Sequence, residues 1–298
     1  MIKITEKIKL YNEDNIETFK RLNDESVDVI LTDPPYLYLK KQKIEREFDE
    51  QLFFSECKRV LKNDGFVILF GRGTSFYRWN TILADLGFVF KEEVIWDKRL
   101  STSPLLPLLR IHETISIHTK KSGTINRSLI NYIEHRKFDV DKIIGDIKRI
   151  RVILNNPKEL KEVQDFLKNG KMSFYKNKKI TNFNVTVGGG VLDSSRCANV
   201  MQSLTNGIVE QSIIKELRDH YSTIHPTQKP VRLIERLLNL VVKNKNAVVF
   251  DPFAGSCPVA VACHNLELNF IGCEIDKEYF DNAVERLKVE CSQLKINY

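Results

Sequence analysis

The stretch SVDVILTDPPY (26–36) climbs through Val27, Val29, Ile30 and Leu31 and stops at two adjacent prolines. Two prolines cannot continue a ladder, so this run is predicted as a buried strand whose carboxyl end delivers Asp33. The same grammar returns at AVVFDPFAGSCP (247–258): an apolar strand, an acid, a proline, then a glycine turn into a helix across 258–266. Working outward, IKLYNED (8–14) alternates like a strand, and the following NIETFKRL puts Ile16, Phe19 and Leu22 on one helical face. FDEQLFFSECKRVL (48–61) has helical spacing, halts at Asn63-Asp64-Gly65 and leads to the strand FVILFG (66–71). A helix at 76–86 closed by Gly87, strands at 88–96 and 114–120, a helix at 231–242, the strand FIGCEI (270–275) and a helix at 277–290 complete the pattern. Strands alternating with helices of this length predict an α/β class: a doubly wound, mostly parallel sheet covered on both faces.

Between about 122 and 222 the alternation disappears. Polar, lysine-rich helical stretches (138–151, 157–168), a tract of strand propensity (180–187) and Gly188-Gly189-Gly190 take its place. The charge divides in the same way. Over the whole chain 46 Lys+Arg face 39 Asp+Glu, a net of +7, but residues 98–222 hold 22 against 12, a net of +10. The remainder holds 24 against 27, a net of −3. Tyr132, His135, Phe174, Tyr175, Asn177, Asn182 and the adjoining Phe183 are interleaved with the cations of 120–182. Basic residues among stacking and hydrogen-bonding side chains fit a polyanion-binding module, and a solvated lysine surface is the competing reading. The expected organisation is one α/β core in two halves, 1–121 and 223–298, interrupted by an inserted region at 122–222.

No apolar run approaches the roughly 18 residues that a membrane span needs, and the N-terminus has no apolar secretory core, so neither a membrane partner nor export is expected. Six cysteines form no CxxC pair and no close Cys/His spacing of the zinc-binding kind, so reduced thiols in a cytoplasmic protein, with no metal, are expected.

Three motifs carry the chemistry. Asp33-Pro34-Pro35-Tyr36 sits where open α/β sheets place reactive groups, the alternative being a strand-terminating turn. In Asp251-Pro252-Phe253-Ala254-Gly255-Ser256-Cys257 a glycine turn precedes a helix, and Glu274 follows Gly255 by 19 residues. That is the spacing with which a doubly wound sheet holds a nucleoside, the acid taking the ribose hydroxyls. The turn lacks GxGxxG and the chain lacks GK[ST], so NAD and ATP are disfavoured. S-adenosylmethionine, an adenosine carrying a sulfonium and an amino acid instead of phosphates, fits. His225-Pro226-Thr227-Gln228-Lys229-Pro230 is either a third element of the site or a proline-bounded linker.

On these residues the chain resembles the S-adenosylmethionine-dependent amino-methyltransferases of DNA. DPPY (33–36) is similar to their catalytic motif, DPFAGS (251–256) to their cofactor loop, and GCEID (272–276) with Tyr279, Ala283 and Arg286 to their ribose-binding strand and helix. HPTQKP (225–230) is similar to the segment that closes over the methionine end of the cofactor, and RVLKNDGFVILFG (59–71) and His112-Glu113 also look familial. The order of motifs resembles the beta-type permutation. The resemblance implies a circularly permuted, Rossmann-like methyltransferase fold of seven-stranded type, with 122–222 as a target-recognition region and IKLYNED displaced to the N-terminus.

Residue by residue, it implies catalytic roles for Asp33, Pro34, Pro35 and Tyr36. Tyr36 would stack on a flipped base, while Asp33 and the Pro34 carbonyl would accept the hydrogens of an exocyclic amine. Cofactor contacts are implied for Asp14, Asp33, His225, Thr227, Lys229, Asp251, Pro252, Phe253, Ala254, Gly255, Ser256, Glu274 and Ile275, with Asp14 near the adenine and Lys229 or Thr227 at the carboxylate. Lys40, Lys41 and Lys43 in the loop after the catalytic turn, with Arg127, Lys178 and Lys179, are candidates for phosphate contacts. His112 and His118 are expected to be structural.

The implied partner is double-stranded DNA, with a cognate restriction endonuclease and a homodimer left open. Asp at the first motif position points to adenine N6, with cytosine N4 as the alternative. A non-catalytic DNA-binding protein with a degenerate cofactor pocket is the alternative from another class, and a nicotinamide oxidoreductase is disfavoured by the missing glycines. One departure bears on this: Cys257 and Pro258 stand where the family usually has Gly and then a small or hydroxyl residue. A Cβ there opposes close approach to the cofactor, whereas proline suits a first helical turn.

Overall fold

The computed structural model describes residues 1–36, 46–100, 107–155, 193–218 and 228–292. Two compact units result, one from Met1–Ser128 with Gln211–Tyr298 and one from Leu129–Glu210.

In the larger unit the described residues form a nine-stranded sheet: β1 (Ile2–Lys3), β2 (Ile8–Tyr11), β3 (Val27–Thr32), β4 (Leu61–Gly71), β5 (Val89–Asp97), β6 (His112–Thr119), β9 (Ile213–Lys215), β10 (Val248–Asp251) and β11 (Asn269–Cys273). Their order is β1-β2-β11-β10-β3-β4-β6-β5-β9. Strands β2, β11, β10, β3 and β4 run parallel, and β6 is antiparallel to both β4 and β5. Removing the short edge strands β1 and β9 leaves the seven-stranded, mostly parallel sheet that was expected.

Helices cover both faces, which explains why the strands read as unbroken apolar runs. Phe66, Ile68 and Phe70 of β4 enter one core cluster with α7 (Val231–Val241), α8 (Pro258–Asn265) and α9 (Lys277–Ser292). Val67 and Leu69 point the other way, into a cluster with α1 (Asn15–Arg21), α2 (Glu50–Val60) and α3 (Gly73–Asp85). The helix starts are chemically marked: Asp14 Oδ1 accepts from Ile16 N at 2.9 Å and Asp49 Oδ1 from Leu52 N at 2.9 Å.

One expectation needs correction. Asn63-Asp64-Gly65 does not separate α2 from a strand beginning at Phe66. Strand β4 already begins at Leu61, and its register against β3 shifts between Val27/Leu61 and Val29/Phe66, so the polar triplet is a bulge inside the pairing. The two strands read in succession at 88–96 and 114–120, with no helix between them, are β5 and β6, which pair directly as antiparallel neighbours. The two- and three-residue strands escaped the sequence reading because so short a ladder has no period.

The smaller unit pairs β7 (Leu129–Ile130) antiparallel with β8 (Ile208–Val209) beside α4 (Tyr132–Arg136), α5 (Val140–Asn155) and α6 (Asp193–Asn206). The Tyr132 hydroxyl donates to Asp146 Oδ2 at 2.6 Å, and Arg149 donates to the other oxygen at 2.8 Å. The readings at 157–168, 180–187 and 188–190 lie outside the described residues. No helix among the described residues is long and apolar enough to cross a membrane.

Candidate active site

Parallel strands end at one edge, so β3, β10 and β11 bring Asp33, Asp251 and Glu274 to a common carboxyl rim. Antiparallel β6 contributes its opposite end: with Gly71 opposite Thr114, its first residues His112 and Glu113 reach the same rim. The segment before α7 adds Lys229.

Lys98, Glu113, Lys229 and Asp33 form a chain of ion pairs. Lys229 Nζ donates to Asp33 Oδ2 at 2.5 Å and lies 3.0 Å from Glu113 Oε2. Glu113 Oε1 accepts from Lys98 Nζ at 3.2 Å, and the Tyr36 hydroxyl donates to Asp33 Oδ1. The Lys229 ammonium sits 5.1 Å from the Phe70 ring centroid and 6.0 Å from that of Trp96. Burial pushes the Asp33 carboxyl up, opposed by Lys229 and reinforced by Glu113. For Glu113 burial acts upward too, but Lys229 and Lys98 outweigh it and hold the carboxyl at about 2. Lys229 is raised, because Asp33 and Glu113 outweigh the burial that would lower it.

The second part of the rim is the turn after β10. Gly255 takes φ +50°, and its N–H donates to Glu274 Oε2 at 3.0 Å, while Asp276 N donates to Glu274 Oε1 at 2.8 Å. Asp251 Oδ1 caps the turn by accepting from Phe253 N at 3.1 Å. Cys257 is the N-cap of α8 at φ +56°, ψ +42°, fully buried. The left-handed conformation is the physical reason a glycine suits this position. Burial raises Asp251 to about 8, with the Asp33 and Glu274 charges pushing the same way, and burial also raises Glu274. Three carboxyls held above their ordinary range, Asp33, Asp251 and Glu274, thus share this rim, each raised chiefly by burial.

The other expected residues fall into place unevenly. Pro34 and Pro252 are buried, and Ala254 and Ser256 are enclosed in the turn. Phe253 packs on Phe48 at 5.3 Å and Phe53 at 5.4 Å, and Tyr36 on Trp79 at 6.0 Å. Ile275 is exposed, its carbonyl 3.3 Å from Asn12 Nδ2. Asp14 is an exposed helix cap two positions beyond Asn12, which also donates to the Glu274 carbonyl at 2.8 Å. Arg127 is exposed and follows Asn126, whose side chain donates to the Val242 carbonyl at the far end of α7 from Lys229. It is not brought to the rim. His225, Thr227, Lys40, Lys41, Lys43, Lys178 and Lys179 lie outside the described residues.

Glu113 and Lys98 were missed as site residues. The available signal was a His-Glu pair opening a strand with no other acid or lysine before Lys120, but its meaning depends on β6 running antiparallel. Among the described residues no group of three His, Cys, Asp or Glu is placed to hold a metal.

Comparison with known proteins identifies the family. The family model for N6/N4 methyltransferases, described as DNA methylase, matches residues 27–285. Type II methyltransferase M.HpaI of Haemophilus parainfluenzae is 28% identical over 284 residues, covering 92% of this chain and 72% of its own. The DNA adenine methyltransferase YhdJ of Escherichia coli is 26% identical, covering 93% and 81%. Among solved structures, the M1.HpyAVI complex with SAM aligns with a TM-score of 0.56 at 22% identity, covering 94% and 98%. The cytosine-N4-specific PvuII methyltransferase aligns at 0.57 and 13% identity, covering 96% and 92%. The chain therefore belongs to the DNA methylase family, the methyltransferases of adenine N6 and cytosine N4.

Proposed function

We propose that the protein transfers a methyl group from S-adenosylmethionine to N6 of an adenine flipped out of double-stranded DNA at a specific site. The observation that carries this reading is the placement of the Asp33 carboxylate on the same rim as the Gly255–Glu274 turn. When bound, S-adenosylmethionine supplies an electrophilic methyl on sulfonium. The rest is positioning and field by the chain.

Glu274 takes the ribose hydroxyls, with Gly255 N–H holding its carboxylate in place. Asp14, Phe253 and Ile275 flank the adenine of the cofactor, while Asp251, Ser256, His225 and Thr227 serve its methionine end. The Lys229 ammonium rests on Asp33 and Glu113, beside that end. Tyr36 stacks on the flipped base. Asp33 and the Pro34 carbonyl accept the two amine hydrogens, which localises the nitrogen lone pair toward the methyl; the N–C bond forms as the S–C bond breaks, and the cationic nitrogen gives its proton to the Asp33 carboxylate and so to solvent. Asp33 at the first motif position and the adenine-specific relative YhdJ favour N6; the PvuII neighbour keeps cytosine N4 as the second reading.

The basic region 122–222 is assigned to target recognition, with a cognate endonuclease expected from relatives such as type II M.HpaI, and the cytoplasm as the compartment. A homodimer is checked by sedimentation. The deciding experiment incubates the protein with tritiated S-adenosylmethionine and unmethylated bacterial DNA, then digests to nucleosides. Label in N6-methyladenine supports the reading, and label in N4-methylcytosine selects the second one. No label with retained salt-sensitive DNA binding points to a binding protein. Replacing Lys178 and Lys179 should reduce the salt dependence of DNA binding by about one to two units of slope.

A further inference from the structure

We propose that Glu113 is a positioning residue for methyl transfer: it shares the Lys229 ammonium with Asp33 and thereby sets how much of the Asp33 carboxylate is free for the substrate amine. The proposal rests on the function proposed above and adds a residue to it.

Both oxygens of Asp33 are engaged within the protein, Oδ1 by the Tyr36 hydroxyl and Oδ2 by Lys229 at 2.5 Å. An incoming amine must therefore draw on lone pairs that the ammonium also uses. Lys229 cannot turn to solvent instead, since its side chain is only 8% exposed and is walled by Phe70 and Trp96. A buried ammonium that loosens from one carboxylate needs another beside it. Glu113 Oε2 stands 3.0 Å from the same nitrogen, buried and without a well-directed hydrogen bond of its own. It is the acceptor toward which Lys229 moves when Asp33 turns to the amine. The 6%-exposed Lys98, at 3.2 Å from the other oxygen of Glu113, limits that pull.

The groups facing Asp33 are Tyr36 from its own turn, Lys229 from the segment before α7, Glu113 from β6 and Asp251 from β10, with Lys98 behind Glu113. Removing the Glu113 charge leaves the ammonium to Asp33 alone and takes away a neighbouring anion. Both effects make Asp33 harder to protonate and a weaker acceptor. Removing the Lys98 charge releases Glu113 onto Lys229 and acts in the opposite direction.

The test uses the full chain, measuring single-turnover transfer from tritiated S-adenosylmethionine to unmethylated bacterial DNA against pH, with cofactor affinity by calorimetry and Tm alongside. Glu113→Gln is expected to slow transfer about tenfold or more, the worth of one charge-assisted hydrogen bond. Its acid limb should move to lower pH, with cofactor Kd within about threefold of wild type; Glu113→Asp should recover part of the rate. Lys98→Met should move the acid limb to higher pH. Opposite shifts are a signature that a structural role would not produce. A wild-type rate and profile in Glu113→Gln, shifts of the same sign in both variants, or lost cofactor affinity at an unchanged rate overturns the proposal. Should Glu113→Gln fail to fold, Lys98→Met decides alone, an upward shift supporting the proposal and no shift overturning it. Absence of label from the wild-type protein defeats the proposed function itself, whereas a labelling wild type with an indifferent Glu113→Gln defeats only this role.

Discussion

Asp33 and Lys229 lie 196 positions apart in the chain and 2.5 Å apart in space. This pair ties the turn after β3 to the segment that opens α7, and so joins the two stretches of chain, Met1–Ser128 and Gln211–Tyr298, that make up the larger unit. Its location at the rim also explains why a carboxyl raised by burial is held beside an ammonium that burial alone would neutralise.

Asp33→Ala should abolish methyl transfer while cofactor affinity stays within a few fold of wild type. Lys229 keeps Glu113 at 3.0 Å as a partner, so the variant is expected to fold. Transfer assays and calorimetry on the same preparation check this; loss of cofactor binding with transfer merely slowed would reassign Asp33.

Asp251 makes stability depend on pH. Its folded value of about 8 stands above the ordinary 3.8, so the folded state binds a proton that the unfolded chain releases, and stability falls as pH rises from about 4 to about 8. Asp251→Asn keeps an acceptor for Phe253 N–H and should raise Tm by several degrees at pH 8 with little change at pH 4. Cofactor binding should release a proton near pH 7, seen by calorimetry in buffers of different ionisation enthalpy, and the Asn variant should bind more weakly without that release.

Cys257 holds a left-handed backbone with a side chain, at a cost of about 1–2 kcal/mol. Cys257→Gly relieves that cost while losing the buried thiol's contacts, so Tm should change by only a few degrees and cofactor affinity should rise. Cys257→Val adds a branched Cβ to the same conformation and should lower Tm by far more. Thermal melts of the two variants, compared with wild type, test the assignment; equal tolerance of Gly and Val would contradict it.

Glu274→Ala removes the acceptor of both Gly255 N–H and Asp276 N, and with them the proposed ribose contact. Cofactor Kd should rise about tenfold or more, while DNA binding in the absence of cofactor should stay unchanged. An unaltered Kd by calorimetry would remove Glu274 from the cofactor site.

The α/β class, the strand ends that carry Asp33, Asp251 and Glu274, and the turn at Gly255 were all legible in the sequence. Apolar runs, prolines and glycines act on the residues beside them, and the carboxyl-edge rule then places whatever follows each strand. Glu113 and Lys98 were not legible as site residues, because their meaning depends on β6 running antiparallel between β4 and β5, a strand direction and order that no single stretch of sequence encodes. The same holds for Lys229: the sequence placed it near the site, but only the tertiary structure decided that its ammonium rests on Asp33 and Glu113. Even Cys257, visible as an unusual residue, acquired its physical cost only from the positive φ that the turn before α8 imposes. Local chemistry determined the elements and their reactive ends. Which charged groups share one buried space was decided by strand order, since that sharing has no signature in any single stretch of chain.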